Sequence, residues 1–298
     1  MNKHFSTNEF FQDPALPLAV HRRTAQRPKA LHTHAFSELV LVLGGEAAHI
    51  TEKDEHPIRK GDIFIIQGKL AHGYRDSNKL SIINIMFDQS RLHLPDADLH
   101  SMAGYHALFT LEPQYRRRHR FASRLQLIDG RLAQAVALTE QVEREAKERK
   151  AGYIFNSTAL FMQLITFLAR CYDGEQTPES QTLLRIGAAI SYLENHYKEP
   201  VTVGQLTQIG GMSESSLLRA FKQATGSSPS EYLLNLRLQR ARHLLEHTTL
   251  NITEIAFDTG FNDSNYFSRQ FRKQTGSSPR EYRLRQRMHS STEPTSVL

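Results

Sequence analysis

Two short stretches, fifty residues apart, carry the side chains best suited to nucleic acid. Ser215, Ser216, Leu218, Arg219 and Lys222 occupy the first, and Ser264, Asn265, Ser268, Arg269, Arg272 and Lys273 the second. Arginine can engage guanine edges bidentately, asparagine can read adenine, and lysine can hold a phosphate. A separate group lies near the N-terminus, where His32 and His34 stand two residues apart. On a strand such residues point to the same side, so the two imidazoles can act together. No nucleophile motif, phosphate-cradling glycine loop or dinucleotide fingerprint appears, and enzymatic activity is not expected.

The elements that must position the first group form a repeat. Arg219-Ala-Phe-Lys-Gln-Ala-Thr-Gly-Ser-Ser-Pro-Ser-Glu-Tyr recurs as Arg269-Gln-Phe-Arg-Lys-Gln-Thr-Gly-Ser-Ser-Pro-Arg-Glu-Tyr. Upstream, with one residue of slippage, Leu206 matches Ile255, Thr207 matches Ala256, Gly211 matches Gly260 and Met212 matches Phe261. Each unit reads as a short helix, a glycine turn, a second helix and a Gly-Ser-Ser-Pro stop. That is the helix-turn-helix plan, in which glycine permits the turn and small residues let the helices approach. Ser213 and Asp263 suit the N-caps of the second helices. There Leu217 and Phe221, and Phe267 and Phe271, are i, i+4 apolar pairs for the core, which leaves the polar and basic face free. A basic face in one unit alone reads equally well as a solvated surface; its repetition points to DNA. Between the units, residues 231–245 read as one helix of about 15 residues, about 22 Å long. Such a spacer can set two recognition helices into successive major-groove segments about 34 Å apart. Arg237, Arg240 and Arg242 on it have two readings, phosphate contact or pairing within the domain.

The first ninety residues read as β-structure. Residues 38–45, 47–51, 61–66 and 80–87 are apolar runs of strand length, and the first is expected to end in a glycine turn at Gly44-Gly45. Spacing without an intervening amphipathic helix suggests an antiparallel barrel or sandwich. From Phe87 to about Gly130 the chain reads as irregular, interrupted by Pro95, Gly104 and Pro113. A helical hairpin follows over about residues 125–172, its second helix apolar around much of its circumference and so buried on more than one side. The polar stretch after Tyr172 is the linker. The expected organisation is residues 1–178 as an effector-binding and dimerisation domain, 179–287 as a helical DNA-binding domain, and 288–298 as a disordered tail. The fold class is α+β.

The 298 residues carry 37 Lys plus Arg against 31 Asp plus Glu, a net +6. Residues 180–298 hold 14 against 10 and residues 1–179 hold 23 against 21, so the surplus leans towards the repeat without being large. The single cysteine, Cys171, excludes an internal disulfide and a cysteine zinc site, and fits a reducing, cytoplasmic setting. It reads as a small hydrophobe in an apolar helix. No stretch is read as approaching the roughly 20 apolar residues of a bilayer span, and no membrane partner is expected. Residues 115–120, Tyr-Arg-Arg-Arg-His-Arg, form the densest basic run and read as a solvated loop.

Residues 236–245 followed by 252–271 resemble the signature of AraC/XylS-type transcription regulators, and the resemblance spans about residues 185–285. It implies two helix-turn-helix units joined by a long helix, double-stranded operator DNA and RNA polymerase as partners, and control of transcription initiation, with activation as the expected mode. Thr207 departs from the alanine usual at its position. His32-Thr-His-Ala-Phe-Ser-Glu38 with Gly45 resembles the first cupin motif, and Gly61 with His72 has the spacing of the second, although Gln67 and Lys69 replace the usual Pro and Gly. This second resemblance implies a cupin-like barrel in which His32, His34, Glu38 and His72 converge, with Tyr74 beside them. Two readings of that set stand together. In one, the residues contact a small sugar-like effector, no cofactor being required. In the other, three imidazoles and a carboxylate hold a divalent metal such as zinc, nickel, iron or manganese. The segment 36–42 and the apolar helix 160–168 are similar to the rhamnose-responsive branch, which implies a homodimer. The competing functional classes are a ligand-independent regulator and a metallo-cupin enzyme fused to a DNA-binding domain.

Overall fold

A computed structural model describes residues 3–6, 9–11, 13–92, 98–116 and 121–290. The chain divides into two compact units, Met1–Ser191 and Tyr192–Leu298.

The first unit is built on one mixed sheet. Its strands are β1 (Lys3–Phe5), β2 (Leu18–Arg23), β3 (Lys29–His34), β4 (Ser37–Thr51), β5 (Glu55–Arg59), β6 (Asp62–Ile66), β7 (His72–Phe87) and β8 (Leu125–Gln126). The order is β1-β3-β7-β4-β6-β8, with β2 also on β7 and β5 also on β4. All pairings are antiparallel except β1 with β3. The expected turn at Gly44-Gly45 is instead a bulged stretch inside the continuous strand β4, where the register against β7 shifts three times. Gly45, at φ +69°, lies so close to β7 that a Cβ would stand 2.3 Å from the Lys79 carbonyl oxygen. A bulge of that kind needs glycine. Val40, Val42, Ile58, Phe64, Ile66, Leu80 and Ile82 fill one core on the sheet.

The stretch read as irregular contains a buried helix. α1 (Ala103–Tyr105) continues through a π-helical segment (His106–Leu111) into α2 (Glu112–Tyr115). Gly104 serves contact here and does not end a helix: a Cβ would meet the Ala169 carbonyl oxygen at 2.2 Å. Pro113 opens the α2 turn, a position that tolerates its missing N–H. Arg116, in the run read as a solvated loop, is buried and pairs with Glu112 at 2.7 Å while donating to the Ile65 carbonyl at 2.6 Å. Residues 117–120 of that run, and Pro95, lie outside the described residues.

α3 (Asp129–Glu148) and α4 (Tyr153–Asp173) pack as the expected hairpin. The expectation that no stretch approaches a membrane span needs correction, because α4 is long and apolar enough by length and composition alone. Its Phe161, Leu164, Ile165, Leu168 and Cys171 are nevertheless buried against the protein. That face packs into the protein, a role that hydropathy alone cannot separate from a membrane one. α5 (Pro178–Asn195) carries the chain from the first unit into the second.

The second unit contains α6 (Val203–Gly210), α7 (Glu214–Thr225), α8 (Pro229–His247), α9 (Ile252–Asp258), α10 (Ser264–Thr275) and α11 (Pro279–Ser290). α6 and α9 each begin with a capping box, on Thr202/Gln205 and Asn251/Glu254. Ser213 and Asp263 cap α7 and α10 through their side chains. α8 has 19 residues, about 28 Å at 1.5 Å per residue. The helix α11 runs through Ser290; the rest of the segment read as a disordered tail, 291–298, lies outside the described residues.

Candidate nucleic-acid interface and histidine–glutamate centre

α7 and α10 are amphipathic in the sense the sequence demands. Leu217, Ala220, Phe221 and Ala224 are buried on α7, and Phe267 and Phe271 on α10. Phe261, Phe267 and Phe271 pack with Leu238, Ala241, Leu245, Ile255 and Ala256. That packing holds the opposite face outward. Ser215, Arg219 and Lys222 are exposed on α7, as are Asn265, Arg269, Arg272 and Lys273 on α10; Ser216, Leu218, Ser264 and Ser268 are half-buried. Thr207 spends its hydroxyl on the Gly204 carbonyl at 2.7 Å, whereas the matching Ala256 is wholly buried.

The arginines of α8 have partners inside this unit. Arg237 donates to the carbonyls of Tyr197 at 2.6 Å and Glu199 at 2.8 Å. Burial pulls its guanidinium below the usual range. Arg242 donates to the Gln274 side chain at 3.0 Å, and Arg240 stands 5.9 Å from the Tyr197 ring. Of their two readings, Arg237 and Arg242 therefore take pairing within the domain. Sequence inspection missed one exposed aromatic on the reading helices, Tyr266, which is 42% exposed. Its signal was present, since it breaks the polar face directly after Asn265.

In the first unit His32, His34, Glu38, His72 and Tyr74 are all buried. Three of the four metal-type residues come together: donor atoms of His34, Glu38 and His72 lie within 4.8 Å of one another. The Glu38 carboxylate oxygens stand 3.6 Å from Nε2 of His34 and 3.6 Å from Nε2 of His72. His32 stays outside that triad, its ring 4.2 Å from that of His72 and 6.2 Å from that of His34. Nδ1 of His34 bonds the Phe36 carbonyl at 2.7 Å, and Nδ1 of His72 the Leu70 carbonyl at 3.0 Å. A carbonyl accepts, so each Nδ1 carries a proton, and each Nε2, which faces Glu38, donates to the carboxylate in the charged ring and offers a lone pair in the neutral one. Both Nε2 atoms are buried without a hydrogen-bond partner.

The electrostatics follow from burial. Desolvation lowers the pKa of His32 to about 4, with His72 adding to the effect, and lowers that of His34. Burial works against the charge of Glu38, yet the imidazoles of His72 and His34 outweigh it and hold the carboxyl below its usual range. The centre thus joins a buried carboxylate to two imidazoles whose Nε2 atoms face it. Tyr74 is deeper, its hydroxyl buried without a partner and its acidity suppressed by burial. Beside it lies His49, absent from the sequence-based set. His49 is wholly buried, 5.7 Å from the Tyr74 ring and 6.0 Å from that of His72, and neither of its nitrogens has a partner. The signal for His49 was the period of two that buries Ala47 and His49 and leaves Ala48 and Ile50 less covered.

Comparison with known proteins places these observations. Residues 206–285 match the family described as "Helix-turn-helix domain". The HTH-type transcriptional activator RhaR of Cronobacter sakazakii is 33% identical over 264 residues, 87% of this chain and 88% of its own. The HTH-type transcriptional activator RhaS of Citrobacter koseri is 30% identical over 260 residues, 87% of this chain and 89% of its own. Among solved structures, a transcriptional regulator from Chromobacterium violaceum with an AraC-type DNA-binding domain is 36% identical. It covers 34% of this chain and 91% of its own, at a TM-score of 0.33.

Proposed function

Since the chain belongs to the AraC family of helix-turn-helix transcription regulators, we propose that it is an activator whose α7 and α10 read operator DNA and whose first unit senses a small sugar-like effector. The relatives are transcriptional activators, which sets aside a metallo-cupin enzyme. The observation that carries the DNA assignment is the pair of repeated helices, each fixed by buried apolar residues and presenting Arg, Lys, Ser or Asn outward. Arg219 and Arg269 take guanine edges, Asn265 takes adenine, and Lys222, Arg272 and Lys273 take phosphates. Replacing Arg219 and Arg269 by Ala should each cost about 1–3 kcal/mol of binding and relax base preference. Binding of the double variant equal to that of wild type would refute the assignment.

The sheet of the first unit, in this reading, is a cupin-like barrel with His34, Glu38, His72, His32 and Tyr74 around the effector. Support comes from the Nε2 atoms of His34 and His72, buried without a hydrogen-bond partner, and the unpartnered Tyr74 hydroxyl. Such groups are costly to leave unpaired, and a guest that supplies donors relieves them. The same donors fit a divalent metal. Their outer nitrogens are anchored on carbonyls, as in metal-binding histidines, and the buried carboxylate needs a cation. His34, Glu38 and His72 would hold the ion, which would supply a Lewis-acidic point for an effector hydroxyl. Metal analysis of protein purified without added metal tests this: about one ion per chain, lost in Glu38→Gln, supports it. A thermal-shift screen over sugars tests the effector, because a ligand that prefers the folded state raises Tm. Silence across the screen favours a ligand-independent regulator.

The homodimer is proposed on α4, where Phe155 is 77% and Ile154 37% exposed. As an activator, the DNA-bound protein engages RNA polymerase, and it works in the cytoplasm.

A further inference from the structure

Along α10, Tyr266, Arg269 and Lys273 follow an i, i+3, i+7 spacing, which aligns them in one stripe. The matching positions of α7 are Ser216, Arg219 and Gln223. The two reading helices therefore share the central arginine and differ at both flanks. All three α10 side chains are exposed. Tyr266 and Arg269 also border a hollow of about 330 Å³ with Asn262 and Phe261. The Tyr266 ring stands 6.2 Å from that of Phe261. Its hydroxyl has no hydrogen bond among the described residues. Three other tyrosines of this unit have engaged hydroxyls: that of Tyr232 donates to Glu194 at 2.7 Å, that of Tyr282 donates to Glu246, and that of Tyr192 accepts from Gln205 at 3.3 Å.

We infer that Tyr266 is a DNA-contacting residue, its hydroxyl donating to a backbone phosphate alongside Lys273, and that the second helix-turn-helix unit is therefore held to the DNA backbone more firmly than the first. The inference rests on the DNA-reading assignment of α10. Base edges are met by Asn265 and Arg269, about 40° apart around the helix. Tyr266 is one residue, about 100°, around the helix from Asn265, and so faces the groove wall, where phosphates lie. A phenol there adds a neutral donor, and Lys273 adds a charge. Ser216 is too short to reach as far, and Gln223 brings no charge.

The test uses the full chain and duplexes that the wild-type protein selects from a random pool. Tyr266→Phe keeps the ring and removes only the hydroxyl. It should weaken binding about tenfold, the worth of one hydrogen bond to a charged group, and equally on preferred and mismatched duplexes. The slope of log K against log salt should stay the same, because a neutral donor releases no counterion. Lys273→Gln should flatten that slope by about 0.9, and Gln223→Ala should leave it unchanged. Single methylphosphonate substitutions add a readout that a structural role would not move. One position that weakens wild type should have no further effect on Tyr266→Phe. Thermal unfolding of Tyr266→Phe should match wild type, which separates contact from folding. Wild-type affinity in Tyr266→Phe, or an altered base preference, overturns the phosphate contact while leaving the DNA-reading assignment intact. Failure of the wild type to select any duplex overturns both.

Discussion

Gly211 and Gly260 occupy matching places in the repeat, and substituting each by alanine should give unequal results. Both sit in the left-handed region, at φ +57° and +86°. Alanine there costs roughly 1–2 kcal/mol, partly offset by the roughly 0.4–1 kcal/mol it gains by stiffening the unfolded chain. At Gly211 nothing lies within 4 Å of the new Cβ, so that net cost, about 1 kcal/mol, is the whole effect. At Gly260 the Cβ would stand 2.6 Å from the Tyr197 carbonyl oxygen, 2.8 Å from Lys198 Cα and 2.9 Å from Arg237 Nε. Two of those atoms are backbone, and Arg237 is tied to the carbonyls of Tyr197 and Glu199, so it cannot simply swing aside. Overpacking of this kind adds about 1–3 kcal/mol, which brings Gly260→Ala to about 2–4 kcal/mol. Urea unfolding of the full chain, followed by hydrogen exchange in α8 to α10, measures both. The expected pattern is a small loss for Gly211→Ala and a larger one for Gly260→Ala, with faster exchange near Tyr197 and Arg237 in the second only. Equal losses would refute the argument from close approach.

Ser213→Ala and Asp263→Ala should each cost about 1 kcal/mol, read by urea denaturation, because each side chain caps its reading helix. Arg116→Met alone should destabilise the first unit by about 3–5 kcal/mol, since it strands the buried Glu112 carboxylate. The pair Glu112→Leu with Arg116→Met should recover much of that loss in the same assay. Phe155→Glu should shift the protein towards monomer in analytical ultracentrifugation, with α4 still folded by circular dichroism; an unchanged sedimentation coefficient counts against the α4 interface.

The DNA-reading half was the most legible part of the chain because its signals are local. Caps at Ser213 and Asp263, the i, i+4 pairs Leu217/Phe221 and Phe267/Phe271, and the glycine turns lie within a few residues of the groups they organise. The buried helix at 103–116 was hidden for the opposite reason. Gly104 and Pro113 look like breaks in a linear reading. In the fold, Gly104 is needed for contact with Ala169, and Pro113 opens a new turn after a π-helical segment. Arg116 looked solvated because its partners, Glu112 and the Ile65 carbonyl, include one fifty-one residues away. The histidine set was only partly visible. The cupin resemblance named four metal-type residues, and donor atoms of three of them converge, while His32 is outside that triad and His49, which it did not name, is buried near His72.

The sequence by itself determined that two equivalent units exist, which residues cap and which face outward, because these depend on side-chain type and helical or strand period. Tertiary structure decided where equivalent residues cease to be equivalent. Gly211 faces open space and Gly260 faces another backbone; His34 and His72 meet at Glu38 while His32 does not. Those outcomes depend on which atoms from distant parts of the chain come close, and no local pattern encodes that distance.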